Sequence, residues 1–324
     1  MMGKELLGKA DTRKIFSKYS LIFILILLVI ICSLANSNFL TATNLINVLR
    51  QQSVIIILAL GEMILIICGM LDLSSGAVVA LAGVLSVSAY KASPNFLVAF
   101  GVAIGVALLC NALSGFMVTK FKAPPFIATL SMQMMARGAA LFFTNGQNIY
   151  EIGDYNIVGQ GSVGIIPIPV IIMLSMFVLI FLIARNTRFG RSIYAVGGNE
   201  EAANASGIKV NLIKMKAFLL NGCLVGIASV VFMSRVNGGL PNGAQGYEFD
   251  ALTATIIGGT SFSGGVGSPV GTIIGAFIVG FLSNIMNLLS VNSYLQQIVR
   301  GAIIAIAVIW DIYSKQRQTH KKNK

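Results

Sequence analysis

Ten stretches of this chain are candidates for crossing a lipid bilayer, eight of them clear, and that limits the fold more than any other feature. A helix needs about 20 apolar residues to cover the hydrocarbon core. The candidate spans are 20–36, 51–69, 74–90, 96–118, 126–144, 165–184, 214–234, 250–262, 269–289 and 294–313. The span 74–90 is short. The span 250–262 is the shortest and ends in glycines, so a broken or tilted helix is expected there. Hydrophobic residues make up 56% of the 324 and charged residues only 10%. A soluble domain carries about 25% charged residues, and a disordered chain is more polar still. Composition excludes both classes, and the expected fold class is an all-α integral membrane protein of about ten transmembrane helices.

The charge pattern gives an orientation. The net charge is +12, from 23 Lys+Arg against 11 Asp+Glu. No basic stripe with interleaved aromatics accompanies it, so nucleic acid is not an expected partner. Membrane proteins collect Lys and Arg in cytoplasmic loops. With the amino terminus inside, five basic residues fall in 1–19, two in 119–125, six in 185–216 and five in 314–324, together 18 of the 23 on the inner side. Arg50, Lys91 and Arg235 fall outside, and Arg137 and Arg300 lie within spans. Glu151, Asp154, Glu248 and Asp250 fall in or beside the outer loops. Both basic termini are then cytoplasmic, which requires an even number of spans. Trp310 and Tyr313 close the last span at the inner interface. The domain plan is a basic segment 1–19, a membrane domain 20–313 and a basic tail 314–324. Lys4, Lys9, Arg13, Lys14 and Lys18 before the run Leu21 to Cys32 resemble a signal peptide. Because the rest of the chain is also apolar, an uncleaved first helix is the better reading. Cys32, Cys68, Cys110 and Cys223 each stand alone in apolar runs and His320 is the single histidine. Neither a zinc site nor a disulfide framework is expected.

Loops are mostly too short to hold a soluble catalytic domain. Residues 145–164 and 235–249 are long, Gly- and Asn-rich outer loops, either connectors or a docking surface whose candidate residues are Glu151, Asp154, Glu248 and Asp250. The inner loop 185–213 is the longest. Asn199 suits an N-cap, Glu200 and Glu201 suit the positive end of a helix, and Gly207 suits a C′ position. A short surface helix over 200–206 follows, preceded by a basic, Gly-containing stretch. Ala202 and Ala203 keep it slim enough for close approach by a partner. Two Gly/Ser-rich segments, 69–76 and 258–268, interrupt the apolar pattern. Irregular backbone at membrane depth is tolerated where it is buried in protein or lines a watery cavity. Asp72, Ser74, Ser261 and Ser263 in these segments are candidates for a translocation path. So are Glu62 and Arg137, because a charge at the bilayer centre costs about 2.5–3.5 kcal/mol on insertion scales. Glu62 and Arg137 pairing structurally with each other is the alternative for those two. Arg300, near a span end, is expected to snorkel.

The sequence contains no G-x-x-x-x-G-K-[ST] loop, no HExxH and no GxSxG. It offers neither an ATP site nor the usual parts of an intramembrane enzyme. The remaining reading is a translocating subunit whose energy source lies on another chain.

Several stretches carry a more specific signal. They are Asn44–Ser53 (NLINVLRQQS), Gly69–Gly83 (GMLDLSSGAVVALAG), Lys122–Arg137 (KAPPFIATLSMQMMAR), Asn186–Ile208 (NTRFGRSIYAVGGNEEAANASGI), Gly246–Gly275 (GYEFDALTATIIGGTSFSGGVGSPVGTIIG) and Leu288–Gly301 (LLSVNSYLQQIVRG). On these the chain resembles the permease subunit of bacterial ABC importers for ribose and other simple sugars, from about residue 20 onward. It departs at Met70 and Leu71, where the usual Gly-Gly-Ile-Asp-Leu-Ser differs, and at Glu62, where a neutral residue is more usual. The resemblance implies a fold like that of the vitamin B12 permease, in the bacterial inner membrane. It implies two permease chains, two ATPase subunits that hold ATP and Mg, and an extracytoplasmic solute-binding protein. In that scheme Asn199, Glu200, Glu201, Ala202, Ala203 and Gly207 match the segment that meets the ATPase. The rivals are a permease of the same superfamily for nucleosides or branched-chain amino acids, a secondary transporter, and an intramembrane enzyme. A neighbouring ATPase gene would separate the first two.

Overall fold

The computed structural model describes residues 2–322. Met1, Asn323 and Lys324 lie outside it, as do the side chains of residues 2–18, Trp310, Ile312 and 314–322. The expectations placed on Lys4, Lys9, Arg13, Lys14, Lys18, Trp310 and the side chains of the basic tail fall there.

Among the described residues, thirteen helices follow one another: α1 (Met2–Ala35), α2 (Ala42–Ile67), α3 (Ser75–Ala92), α4 (Phe96–Lys120), α5 (Pro125–Thr144), α6 (Ile157–Gln160), α7 (Ile168–Asn186), α8 (Arg188–Gly198), α9 (Glu200–Ala205), α10 (Val210–Arg235), α11 (Tyr247–Ile257), α12 (Pro269–Leu288) and α13 (Ser293–Lys322). A 3₁₀ turn over 153–156 precedes α6. A two-residue hairpin, β1 (Ser162–Val163) antiparallel to β2 (Ile166–Pro167), follows it. Among the described residues, α2, α3, α4, α5, α7, α10 and α12 are long and apolar enough to cross a membrane. Tyr19–Ala35 and Ser293–Ile309 are shorter apolar stretches. Each of the ten expected spans has a helical counterpart. The eighth span, 250–262, is broken as its closing glycines suggest: α11 ends at Ile257, five residues before 262. Eleven residues rise only about 16 Å, half of a bilayer core.

The centre of the bundle is α2. Every residue from Gln52 to Cys68 is buried, as expected of a helix that is apolar all round. α10 packs against α4, α2 and α3, while α11 packs against α12, α2 and α13. Gly222 and Gly226 let α10 close on α4, where an added Cβ would meet the backbone at Ala107–Leu108 or Ala103–Ile104. This is the small-xxx-small device by which membrane helices gain van der Waals contact without help from water. The outer helices turn large apolar side chains outward, among them Leu34, Leu97 and Phe142. That surface suits lipid as its solvent.

α2 and α11 end alike. Gly69 and Gly259 both have positive φ (78° and 87°). Met70 N–H donates to the Leu65 carbonyl at 2.9 Å, and Thr260 N–H to the Thr255 carbonyl at 3.0 Å. Each end is a Schellman motif, which satisfies the last carbonyls and turns the chain. An irregular segment then leads to α3 in one case and α12 in the other.

The loops sort onto two faces. On one, Arg50 donates to the Ser162 hydroxyl, Lys91 to the Tyr150 carbonyl, and Ile149 bridges Gly239. This hairpin face also receives Arg235 at the end of α10, whose carbonyl accepts from Gln160. On the other lie α8, α9, Lys122 and the 258–268 segment. This is the partition that the charge count assigns to outer and inner sides.

Candidate functional site

α9 stands on the second face as a compact, capped knob. The Asn199 side chain accepts from the Ala202 N–H at 2.9 Å. Gly207 adopts φ 82°, and the Ile208 N–H reaches back to the Ala203 carbonyl at 3.1 Å. Caps at both ends hold a six-residue helix too short to persist alone. Glu200 and Glu201 are exposed in its first turn, and Glu200 pairs with Lys214 at 2.7 Å. Ala202 faces out, whereas Ala203 is buried. Of these two, Ala202 alone presents its small side chain to an outside body. A groove of about 740 Å³ beside the knob is lined by Glu200, Glu201, Asn204, Lys122 and Lys209.

The stretch before α9 is an 11-residue helix, α8, rather than an irregular basic loop. The Thr187 side chain caps it, accepting from the Gly190 N–H at 3.0 Å. Its far end packs backbone against backbone. A Cβ at Gly197 would meet the Ile67 carbonyl and the Gly265 nitrogen, and Gly265 N–H donates to that same carbonyl at 2.8 Å. Tyr194 adds a hydrogen bond to the Gly267 carbonyl at 3.0 Å. Burial pushes the Tyr194 phenol above its ordinary value, so it remains a donor. α8 thus joins the knob to the end of the central helix.

Within the bundle, Glu62, Asp72 and Ser74 come together. Asp72 Oδ1 accepts from the Ser74 N–H at 2.8 Å and from the Ser74 hydroxyl. Its Oδ2 accepts from Asn221 Nδ2 at 2.7 Å, and the same amide reaches Asn111 Oδ1 at 2.9 Å. Glu62 Oε1 accepts from the Asp72 N–H at 3.2 Å, and its Oε2 has no partner among the described residues. Four elements or segments therefore converge on one buried polar knot: α2, the 68–74 segment, α4 and α10. Asn111 and Asn221 are absent from the sequence-based expectations.

Glu62 and Arg137 do not pair. Arg137 Nη1 donates to the carbonyls of Pro241 and Gly243 at 2.7 and 2.9 Å. Ser261 and Ser263 also lie apart from the knot. The Ser261 hydroxyl and the Phe262 N–H both donate to Asp311 Oδ2 on α13, at 3.2 and 3.0 Å, and the Ser263 N–H turns back to Ser261. Arg300 does not simply snorkel, since it reaches Asp250 Oδ2 at 3.4 Å.

The four acids grouped for docking divide. Glu151 and Asp154 are exposed on the hairpin face. Glu248 and Asp250 are buried in the first turn of α11, 3% and 6% exposed, and present no carboxylate to an approaching protein. Glu248 Oε1 instead accepts from Gln133 Nε2 at 3.2 Å and from the Gly246 N–H at 3.3 Å. Carboxylates at the positive end of a helix dipole are favourably placed. The loop around Asp154 is itself seated on the bundle. Tyr155 is fully buried, its hydroxyl 2.9 Å from Ser86 and its carbonyl taken by Ser234.

Comparison with known proteins agrees with this architecture. The family model described as branched-chain amino acid transport system / permease component matches residues 44–308. The chain belongs to that permease family. It is 41% identical over 297 residues to ribose import permease protein RbsC of Escherichia coli strain K12, covering 90% of this chain and 92% of that protein. The ribose import permease of Bacillus subtilis strain 168 is 40% identical over 290 residues, covering 89% and 90%. The D-allose transport system permease protein AlsC of Escherichia coli is 36% identical over 301 residues, covering 91% and 92%. No solved structure matches. The resemblance on the six quoted stretches holds, and this permease is a multi-pass membrane protein.

Proposed function

We propose that this chain is the permease subunit of a bacterial ABC importer that carries ribose or a related monosaccharide across the cytoplasmic membrane. Similarity along nine-tenths of the chain to ribose import permeases is the observation that carries this reading. A sugar cannot cross hydrocarbon unaided, and this chain offers no nucleotide loop. ATP and Mg are assigned to a separate ATPase subunit. Its docking point is α9, with Asn199, Glu200, Glu201, Ala202 and Gly207 forming the capped surface and the groove at Lys122 beside it. A solute-binding protein is assigned to the opposite face, near Glu151 and Asp154. A second copy of this chain completes the path. In this reading α1, α11 and α13 join the seven longer helices to make ten membrane segments like those of the vitamin B12 permease, and both termini are cytoplasmic. ATP binding draws the two ATPase subunits together, pushes α9 and α8, and rocks the bundle.

The purified permease is placed in liposomes with its ATPase inside, and with radiolabelled ribose and the binding protein outside. ATP-dependent uptake is expected with all three components and is expected to vanish without the ATPase. Uptake that persists without it would assign the chain to the secondary transporters. The family description favours a second reading, import of a branched-chain amino acid. Leucine uptake that excess ribose leaves untouched would establish that one instead.

A further inference from the structure

The feature that the function above leaves unused is a cavity of mixed polar and apolar lining where α5, α11 and α13 meet. It measures about 570 Å³, within the range of about 300–1,000 Å³ of small-molecule sites. Gln133, Gln245, Glu248, Asp250, Gln297 and Arg300 line it. A smaller cavity of about 330 Å³ shares Gln133 and Gln245 and adds Arg137. We propose that this cavity is where a neutral polyhydroxylated solute touches the permease during passage. The inference rests on the sugar-import reading and deepens it.

Three properties select that class of ligand. First, three carboxamides surround the space, and each offers both a donor and an acceptor. A hydroxyl also donates and accepts, so amides match it in either direction. Second, the charges balance across the two adjoining cavities: Glu248 and Asp250 stand against Arg300, with Arg137 in the smaller one. A cation or an anion meets as much repulsion as attraction, whereas a neutral polyol needs only hydrogen bonds. Third, two polar atoms beside the space, Glu248 Oε2 and Arg300 Nε, are enclosed and without a partner among the described residues. A buried polar atom without a partner is costly, so both side chains gain by turning toward a solute hydroxyl that enters the cavity.

The space is also shaped by the fold. Gly76, near the start of α3, lies against Glu248, and a Cβ there would meet Oε2 and the Ala244 carbonyl. Glycine at 76 leaves room for the carboxylate. Phe249 is the only aromatic among the lining residues. The site therefore lacks the stacked rings that hold a sugar tightly, as suits a station that must also release it.

Two measurements test the proposal. Gln245→Leu and Gln297→Leu replace exposed amides outside the packed core. In the complete transporter they are expected to lower radiolabelled ribose uptake at least tenfold. Stimulation of ATP hydrolysis by the loaded binding protein should stay within twofold of the unsubstituted protein. Unchanged uptake, or uptake and ATP hydrolysis falling together, would overturn the site.

The second measurement needs no ATPase or binding protein. Gln297→Cys is made with Cys32, Cys68, Cys110 and Cys223 replaced by serine or alanine, and is treated in membranes with a water-soluble methanethiosulfonate. Ribose at high concentration should slow modification at least threefold, while sodium chloride and leucine at equal osmolarity should not. Absence of modification would mean that a second copy or lipid fills the cavity, and would sink the idea. Equal protection by leucine would overturn the choice of a neutral polyol. If the unsubstituted transporter imports no sugar while ribose still protects Gln297→Cys, the function reading fails and the site stands.

Discussion

At the scale of single residues, the buried knot around Asp72 has the most at stake. Its carboxylate sits among apolar helices with no cation beside it, held by Ser74 and Asn221. A buried acceptor stripped of its donor costs about 1–3 kcal/mol. Asn221→Leu removes one amide from both Asp72 and Asn111, so a loss of that order is expected, read as a lower thermal midpoint in detergent. Asn111→Leu should cost less, because Asn221 keeps its bond to Asp72. Midpoints of both variants equal to that of the unsubstituted protein would show that the knot contributes nothing. Glu62 and Asp72 are legible in the sequence as charges in apolar surroundings. Asn221 is not, because it comes 149 residues after Asp72 and neutral amides do not interrupt an apolar run. Glu248 and Asp250 illustrate the opposite difficulty. Loop-like Gly and Asn neighbours suggest exposure, yet the first turn of α11 folds inward and takes both carboxylates with it.

At the scale of elements, α9 was fully readable because its stability is local. Asn199, the two glutamates and Gly207 sit at positions where helix ends need them, and the structure places the helix one residue short of expectation. α8 was not readable, since glycines at 190, 197 and 198 argue for a loop by propensity. Tertiary packing overrides that preference. Ala202→Arg, on the exposed side of α9, is expected to leave the permease folded and in the membrane while reducing co-purification of the ATPase at least tenfold. Ala203→Arg forces a charge into a packed position and should instead lower the amount of folded protein. If Ala202→Arg retains its ATPase, docking belongs elsewhere, with 119–125 next in line. Asn199→Ala removes the cap, worth about 0.5–2 kcal/mol. Faster hydrogen exchange of the 200–205 amides is the expected sign.

At the scale of the whole molecule, the apolar runs located the seven helices long enough to cross a membrane, because membrane insertion depends on composition over about 20 residues. They announced a break in 250–262 through its closing glycines but did not place it, since a Schellman turn needs only one glycine in an otherwise apolar stretch. Ser162 and Asn204 are both exposed, on opposite faces. Single cysteines there should label from outside and inside intact cells respectively, and labelling of both from the same side would refute the ten-segment path. The contact of Gly197 with Ile67 and Gly265 has a mechanical consequence. Side chains give way under stress by rotating into another rotamer, but two backbones in contact have no such compliance. A push on α8 therefore arrives undamped at the end of α2, one and a half turns from Glu62. The same stiffness makes the joint brittle: the methyl group of Gly197→Ala should cut ribose uptake severely in a protein whose every binding surface is intact.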